Sequence, residues 1–202
     1  MIISHKYQFI FIKTRKTAGT SIEAYLSQYC GDKDVVTPIH PALDIHKPRN
    51  YDEFYNHIGA ASVRDQVEPE IWDKYFKFCV ERNPWDKTLS HYHMMNTISG
   101  GKLSLEDYFL SGDYCIDFPA YVEPEEPSHI ILDKVLKFEN IDTELGLVFN
   151  NLGVPFNGAL GIKAKSEYRT DKRSYKDVLT GEQAELISNA FVNERTLFGY
   201  SY

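Results

Sequence analysis

The sequence is poor in the residues that would stabilise a secreted scaffold, ligate a metal or cross a membrane. Among 202 residues there are three cysteines, Cys30, Cys79 and Cys115. They form neither a CxxC pair nor a zinc-ligand spacing, which predicts reduced thiols in a cytoplasmic protein and no metal site. No apolar run approaches the roughly 20 residues that a membrane-spanning helix needs, and the first residues lack the features of a signal peptide.

Positive charge is also in short supply. The 22 Lys and Arg residues against 29 Asp and Glu give a net charge of −7. An acidic chain gains little from the phosphate field of a duplex, so general nucleic-acid binding is not expected, whereas a local basic pocket for a small anion is compatible with this charge. With 43% hydrophobic and 14% aromatic residues and no repeat, the composition predicts one packed domain over residues 1–202.

Apolar runs of strand length alternate with segments of helical periodicity. Tyr7–Lys13, Tyr75–Glu81 and Lys134–Phe138 have the length and β-forming composition of buried strands. A helix is expected after each of them, and a last helix over Thr180–Glu194, with Thr180 as its cap. This alternation predicts an α/β domain with a mainly parallel central sheet flanked by helices on both faces.

The segment after the first predicted strand, KTRKTAGTS at residues 13–21, has the composition of an anion site. A loop of small residues that leads into a helix presents free backbone N–H groups and the positive end of the helix dipole. Lys16 adds a point charge. Further donors are expected from the hydroxyls of Thr17, Thr20 and Ser21.

This loop differs from the Walker A pattern. Its Lys16 precedes Gly19 instead of following the last glycine, and the first glycine of the pattern is missing. The loop is therefore expected to bind phosphate without the usual magnesium geometry. Thr20 and Glu23 have the spacing of a capping box, which predicts that their side chains cap the helix.

A second polar segment, residues 82–90, follows the second predicted strand. Asn83 is the expected helix cap and Pro84 the first helical residue. Arg82 is expected at the carboxyl edge of the sheet, where open parallel sheets bind ligands. Ser90 follows two helical turns later, and an arginine fork and a serine hydroxyl can both donate to a phosphate.

Together the two segments resemble the nucleotide-binding elements of sulfotransferases that use 3′-phosphoadenosine 5′-phosphosulfate (PAPS), in the branch that includes the carbohydrate 2-O-sulfotransferases. KTAGTS at residues 16–21 is similar to the 5′-phosphosulfate loop of that branch, and residues 82–90 to its 3′-phosphate element. Residues 138–140, expected on a late strand, and 198–200, expected to close the last helix, extend the similarity. Among the departures, Arg15 stands where proline is usual, and Glu81, in place of an apolar residue, is expected to weaken the phosphate contact of Arg82.

The resemblance implies a three-layer, P-loop-like fold and a transferase. Its reaction would be in-line transfer of the sulfuryl group from PAPS, as co-substrate, to a hydroxyl of a saccharide or glycan, with no metal required. Lys16 would stabilise the leaving oxygen. The residues expected to bind the nucleotide are Lys16, Thr17, Ala18, Gly19, Thr20, Ser21, Arg82 and Ser90, together with Lys172 and Arg173 from a basic loop that also holds Lys163, Lys165 and Arg169.

His57 is the expected catalytic base, since it lies between the two nucleotide elements, where the related branch carries its catalytic histidine. An imidazole can accept a proton near neutral pH. His40 and His46 are candidates to line an acceptor site. Either Tyr168 or Trp85 is a candidate to stack on adenine.

Two other functions stay open at this point. One is a P-loop-type kinase that uses ATP and Mg²⁺, and the missing GK[ST] sequence counts against it. The other is a non-catalytic module that binds a nucleotide or a sulfated glycan. The presence of both Lys16 and His57 counts against that module.

Overall fold

The computed structural model describes residues 1–162, 164, 168–169 and 171–202. They belong to two compact units. The first comprises Met1–Glu81 and Pro119–Ala164, and the second Arg82–Phe118 and Lys165–Tyr202. The single domain over residues 1–202 stays a prediction. None of the helices in the described part of the chain has the length and apolar character to cross a membrane.

The first unit contains a mixed five-stranded sheet in the order β3-β1-β2-β4-β5. β1 pairs antiparallel with β2 and β3, while β2, β4 and β5 are parallel neighbours. The chain thus has an α/β fold with a partly parallel sheet flanked by helices, as its coarse pattern predicts. The strands are β1 (Ile2–Ser4), β2 (Phe9–Phe11), β3 (Val35–Val36), β4 (Phe76–Glu81) and β5 (Lys134–Lys137).

The sheet is mixed and not mainly parallel because the chain begins with a hairpin. The predicted strand Tyr7–Lys13 contributes only β2, and the preceding β1 folds back on it, with Ile3 opposite Ile10. Gln8 makes this reversal possible with a φ of 54°, a conformation in which glycine or asparagine is usual. The sequence around it therefore carries no turn signal.

The helices fall between and after the strands. The helix that follows the second predicted strand begins as expected, because the Asn83 side chain accepts hydrogen bonds from the Trp85 and Asp86 amides. Residues 138–140, expected on a strand, form a 3₁₀ turn after β5. The helices are α1 (Gly19–Ser27), α2 (Ala60–Gln66), α3 (Pro69–Lys74), α4 (Pro84–Ile98), α5 (Leu105–Ser111), α6 (Ile141–Leu152), α7 (Tyr175–Val178), α8 (Gly181–Ala190) and α9 (Val192–Phe198).

Two ends of the last predicted helix are explained by local chemistry. Thr180 caps α8 in a capping box with Gln183, as predicted. The helix does not continue to Glu194, because Phe191, with φ −107° and ψ 34°, interrupts it and separates α8 from α9. α9 ends at Phe198, and the next residue, Gly199, has a φ of 68° that suits glycine.

The core of the first unit lies between one face of the sheet and two helices. Phe9, Phe11 and Phe78 alternate with residues of the opposite face and pack against α1 and α6. On the opposite face, Ile10 and Cys79 are also buried. Both faces of the sheet are therefore covered. The loop that follows β2 lies at the carboxyl edge of the sheet, beside the end of the parallel strand β4.

The core of the second unit is built around Trp85. Its side chain is fully buried, its Nε1 donates to the carbonyl of Ala184 at 2.9 Å, and its ring stacks on Tyr175. Leu89 and Ile187 belong to the same cluster. The suggestion that Trp85 stacks on adenine is therefore wrong, since a ring buried in the core presents no face to a ligand.

Candidate functional site

The loop between β2 and α1 is fastened to the sheet by two threonines. Thr14 Oγ1 donates to the carbonyl of Val80 in the neighbouring strand β4. Thr17 Oγ1 donates to the Thr14 carbonyl at 3.1 Å and lies 2.8 Å from Thr14 Oγ1. Both threonines are buried. The Thr17 hydroxyl therefore holds the loop together, a role that the sequence did not indicate.

The backbone of the loop is turned in a way that favours anion binding. Lys16 and Ala18 both have a φ of 62°, in the left-handed region that side chains rarely adopt. Such residues cost roughly 1–3 kcal/mol each and cluster at ligand sites. Alternating left- and right-handed residues turn successive N–H groups toward one side, where they form a concave anion cradle. Lys16 and Ala18 thus supply two of the left-handed residues on which such a cradle depends, and the role of residues 13–21 as a phosphate loop stays a prediction.

The start of α1 is not capped as the sequence predicts. Ala18 occupies the N-cap position and has no side chain that can accept a hydrogen bond from the helix amides. Glu23 is instead fully buried and forms ion pairs with Lys13 and the amino group of Met1. Burial raises the pKa of Glu23, but these two positive charges outweigh it and lower the pKa below its usual value. The predicted capping box of Thr20 and Glu23 is therefore wrong, because the Glu23 carboxylate is paired with the buried Lys13 and with the amino group of Met1.

Gly19 is required by close packing. A Cβ at this position would lie 2.7 Å from Lys13 Cγ and 3.2 Å from the Thr14 carbonyl oxygen. Lys13 cannot easily move away, since its side chain is buried and paired with Glu23. The one glycine of the loop is therefore explained by the contact between α1 and Lys13.

We expect Gly19→Ala to destabilise the fold by about 1–3 kcal/mol, as overpacking does in a dense core. Urea denaturation measures the free energy of unfolding. The matched control is Gly146→Ala in α6, where the nearest atom to the new Cβ, on Phe156, lies at 3.7 Å. That control should be neutral or stabilising, since alanine is the better helix former. Equal stability of the two variants would contradict the packing argument.

The predicted base lies against the first residue of the loop. His57 is exposed, has a φ of 64°, and its Nδ1 is 2.9 Å from the carbonyl oxygen of Lys13. A carbonyl can only accept, so Nδ1 carries a proton and, in the neutral ring, the lone pair is on Nε2. The structure thus brings His57 and the first residue of the loop together across 44 positions of sequence.

The other predicted hydroxyl donors of the loop lie in the first turn of α1. Thr20 and Ser21 are both buried. Ser21 Oγ accepts a hydrogen bond of 3.0 Å from the amide of Ala164. Further along the helix, the Tyr25 hydroxyl donates to the Pro155 carbonyl at 2.6 Å. The chain between residues 155 and 164 is thus fastened to α1 near both of its ends.

In the second unit, two arginines share one carboxylate. Arg82 donates through Nε at 2.8 Å and Nη2 at 2.5 Å to Asp86 Oδ2, and Arg169 Nη1 pairs with Asp86 Oδ1. Burial raises the pKa of Asp86, but the two guanidinium groups outweigh it and lower the pKa below its usual value. Arg169 was one cation among several in the predicted basic loop, and the structure places it beside the predicted phosphate ligand Arg82.

The side chains of the other described residues of the basic loop, Lys172 and Arg173, are exposed. Arg173 pairs with Asp171 at 2.7 Å. Lys163 and Lys165 lie outside the described residues. Arg169 also donates from Nη2 to the Arg173 carbonyl at 2.8 Å, which holds this loop in place.

The other residues in and next to the predicted 3′-phosphate element differ in their burial and contacts. Ser90 is half-buried on α4. Lys87 is fully buried and pairs with Asp117 at 2.9 Å, so it supports the core of the second unit. In the first unit, Glu81 is buried and accepts a hydrogen bond of 3.0 Å from the Tyr121 hydroxyl. Tyr121 is therefore a partner of Glu81 that the sequence did not indicate.

Two of the other histidines, His46 and His91, are buried and hydrogen-bonded inside the fold. His46 is 5% exposed, with Nε2 2.8 Å from the Thr37 carbonyl oxygen, and burial lowers its pKa. This buried position does not suit a residue that lines an acceptor site. His91 is also buried, with Nδ1 2.9 Å from the Tyr108 hydroxyl. His40 is exposed.

The comparisons with known proteins give one distant similarity. No family model matches the chain, and no solved structure matches it. An uncharacterized protein from Archaeoglobus fulgidus is 29% identical over 101 residues, which cover 48% of this chain and 84% of that protein. This similarity assigns no function.

Proposed function

We propose that the protein is a PAPS-dependent sulfotransferase with a three-layer, P-loop-like architecture, acting on a hydroxyl of a saccharide or glycan. The observation that carries the proposal is the juxtaposition of the turned, lysine-bearing loop 13–19 with His57 through the Lys13 carbonyl. Sulfuryl transfer needs a cation and amide donors at the leaving oxygen and a base at the acceptor. This corner of the first unit offers all three kinds of group.

The reaction is a displacement at sulfur in which each group has one role. His57 Nε2 takes the proton of the acceptor hydroxyl, and the acceptor oxygen forms a bond to sulfur. The bond between sulfur and the bridging oxygen of the 5′-phosphate breaks, and its electron pair stays on the phosphate. Lys16 and the amides before α1 stabilise that charge. The products are the sulfated acceptor and 3′,5′-adenosine bisphosphate, and no covalent enzyme intermediate is required.

The proposal assigns the 3′-phosphate to Arg82 and Ser90, with Lys172 and Arg173 as further cations. The cluster around Asp86 supports a role for Arg169 as well, since two guanidinium groups on one carboxylate leave net positive charge for a phosphate. Asp86 orients both forks through charge-assisted hydrogen bonds. Arg169 is therefore the member of the basic loop that we rank first.

Loss of Arg82 or Ser90 should weaken binding of 3′,5′-adenosine bisphosphate much more than binding of 5′-AMP, which lacks the 3′-phosphate. A hydrogen bond to a charged group contributes about 1.5–3 kcal/mol, so we expect Arg82→Ala to weaken the bisphosphate by at least about tenfold. Isothermal titration of both nucleotides gives the ratio. Arg169→Ala should resemble Arg82→Ala, and the exposed Lys33→Ala should change neither affinity. Equal losses for the two nucleotides would remove the 3′-phosphate assignment.

A thermal-shift titration tests the proposed function as a whole. A ligand that binds only the folded state raises the melting temperature with its concentration. We expect 3′,5′-adenosine bisphosphate to stabilise the protein more than ATP does, and its effect to persist in the presence of EDTA. Stronger stabilisation by ATP with Mg²⁺ would indicate a kinase. Where the bisphosphate does stabilise, an acceptor screen with radiolabelled PAPS separates an enzyme from a binding module.

A further inference from the structure

His57 lies in a tight turn whose backbone is strained. The amide of Ile58 donates to the carbonyl of Tyr55 at 3.3 Å, which closes the turn, and His57 within it has a φ of 64°. A left-handed backbone at a residue other than glycine is costly and persists only where the surrounding structure holds it. On one side of the turn, the Lys13 carbonyl holds the imidazole. A second support is therefore expected on the other side.

The chain after His57 is anchored by the docking of α2. At its start, a Cβ added to Gly59 would lie 3.6 Å from the Cα of Ala120, so the two backbones are in close contact. Three apolar side chains of this segment are buried, namely those of Ile58, Ala60 and Val63. The turn at His57 therefore continues directly into a helix whose place in the first unit is fixed by packing.

The other end of α2 is held by an ion pair with two contacts. Arg64, in the last turn of the helix, donates from Nη1 and Nη2 to the two carboxylate oxygens of Glu123, at 2.6 and 3.0 Å. Such a fork fixes orientation as well as distance. The hydrogen bonds from Arg64 lower the pKa of Glu123 below its usual value, so both groups stay charged where an imidazole titrates.

The loop that carries Glu123, residues 121–131, is closed at its base and attached to the sheet. The Ile131 amide donates to the Tyr121 carbonyl at 3.1 Å. Tyr121 is fully buried, and its hydroxyl donates at 3.0 Å to Glu81, the last residue of β4. A continuous series of contacts thus joins β4, the loop, the fork, α2 and the expected base.

We infer that Arg64 and Glu123 are positioning residues that act on His57 through α2. The inference rests on the proposed function, in which His57 Nε2 takes the proton of the acceptor hydroxyl. The Lys13 carbonyl selects the ring nitrogen that carries the proton, and the fork holds the turn on which the ring is placed. A displacement of about 1 Å at a reacting group can lower a rate by about a hundredfold.

The test combines NMR of the full chain, labelled with ¹⁵N-histidine, with initial rates. In the unmodified protein the neutral His57 ring should carry its proton on Nδ1. Arg64→Ala should relax the strained turn, so that the ring leaves the Lys13 carbonyl and both tautomers appear. Its kcat for sulfuryl transfer should fall about tenfold or more, with the KM for PAPS nearly unchanged. Glu123→Gln, which keeps the size of the side chain, should show the same changes to a smaller extent.

The matched control is Asp65→Asn, which neutralises a second carboxylate beside Arg64, 3.6 Å from Nε and 72% exposed. It should leave the tautomer and kcat unchanged. Exchange of the two partners, Arg64→Glu together with Glu123→Arg, should restore most of the lost rate. The inference is overturned if Arg64→Ala and Glu123→Gln keep the Nδ1 tautomer, if Asp65→Asn changes it equally, or if the exchange restores nothing.

The tautomer is measured without PAPS, so failure of this inference differs from failure of the proposed function. An unmodified protein that transfers no sulfuryl group to any acceptor refutes the function, whatever tautomer the variants show. An active enzyme whose Arg64→Ala and Glu123→Gln variants keep both tautomer and rate refutes only the positioning role.

Discussion

Replacing Lys16 with alanine should lower the turnover of PAPS by about a hundredfold or more, because a cation at a developing negative charge acts mainly in the transition state. The side chain is half-buried on a loop, so its removal costs little packing. The backbone should keep its conformation, since an alanine, Ala18, already adopts the same φ of 62° in this loop. Initial rates with radiolabelled PAPS and an acceptor from the screen measure the effect.

The control for Lys16 is Lys33→Ala, which removes an exposed lysine from the same unit. That variant should keep its rate, and both should melt at nearly the temperature of the unmodified protein. The binding of 5′-AMP should fall modestly in Lys16→Ala, because the amides of the loop remain. A folded Lys16→Ala enzyme that turns over at a normal rate would refute the assignment of Lys16 to the leaving oxygen.

The second large effect is expected at His57, where asparagine gives the cleanest test. An asparagine side chain can place its amide N–H where His57 Nδ1 lies, and so can still donate to the Lys13 carbonyl. Asparagine also tolerates the positive φ of this position. It has no basic nitrogen, however. The variant should therefore lose about a hundredfold or more in rate, as the loss of a general base does, while keeping its affinity for 3′,5′-adenosine bisphosphate.

The pH dependence identifies the lost group. The rate of the unmodified enzyme should fall on the acidic side, in the range where imidazoles titrate, since a protonated Nε2 cannot accept the proton of the acceptor. His57→Asn should lack this acidic limb, and His129→Ala, at an exposed position in the same unit, should retain it. An active His57→Asn enzyme with an unchanged acidic limb would show that another group is the base. His46 is then an unsuitable replacement, because it is buried against the Thr37 carbonyl.

The parts of the fold that sequence reasoning predicted depend on short-range patterns. β4 and β5 are short segments rich in β-forming residues, and the caps Asn83 and Thr180 act within three residues of themselves. The parts it missed have no such pattern. β1 is three residues long, and α2 buries only Ala60 and Val63, which is too little for a visible helical period.

The candidate site shows the same division. The loop was predicted to be an anion site because a strand, small residues and a helix follow one another in the sequence. The sequence did not indicate which residues would contact each other in this region. Glu23, for example, is equally suited to capping a helix and to pairing with a buried lysine. Which of these two roles Glu23 takes depends on whether Lys13 is buried, and a local sequence pattern does not show this. Arg169 likewise pairs with Asp86, which lies 83 positions earlier in the chain, and local sequence patterns do not predict contacts over such a separation.

The buried pair of Lys13 and Glu23 has a consequence for how the site opens. Lys13 is bound through its ammonium group to α1 and through its carbonyl to His57, so one residue ties together the helix, the loop and the expected base. Local unfolding of a protein proceeds in cooperative segments. Opening of α1 at Glu23 should therefore be coupled to the orientation of His57, and we expect the three parts to exchange their amide hydrogens with solvent at a common rate. An anion that settles on the loop would slow that exchange at His57 too, although it need never touch the imidazole.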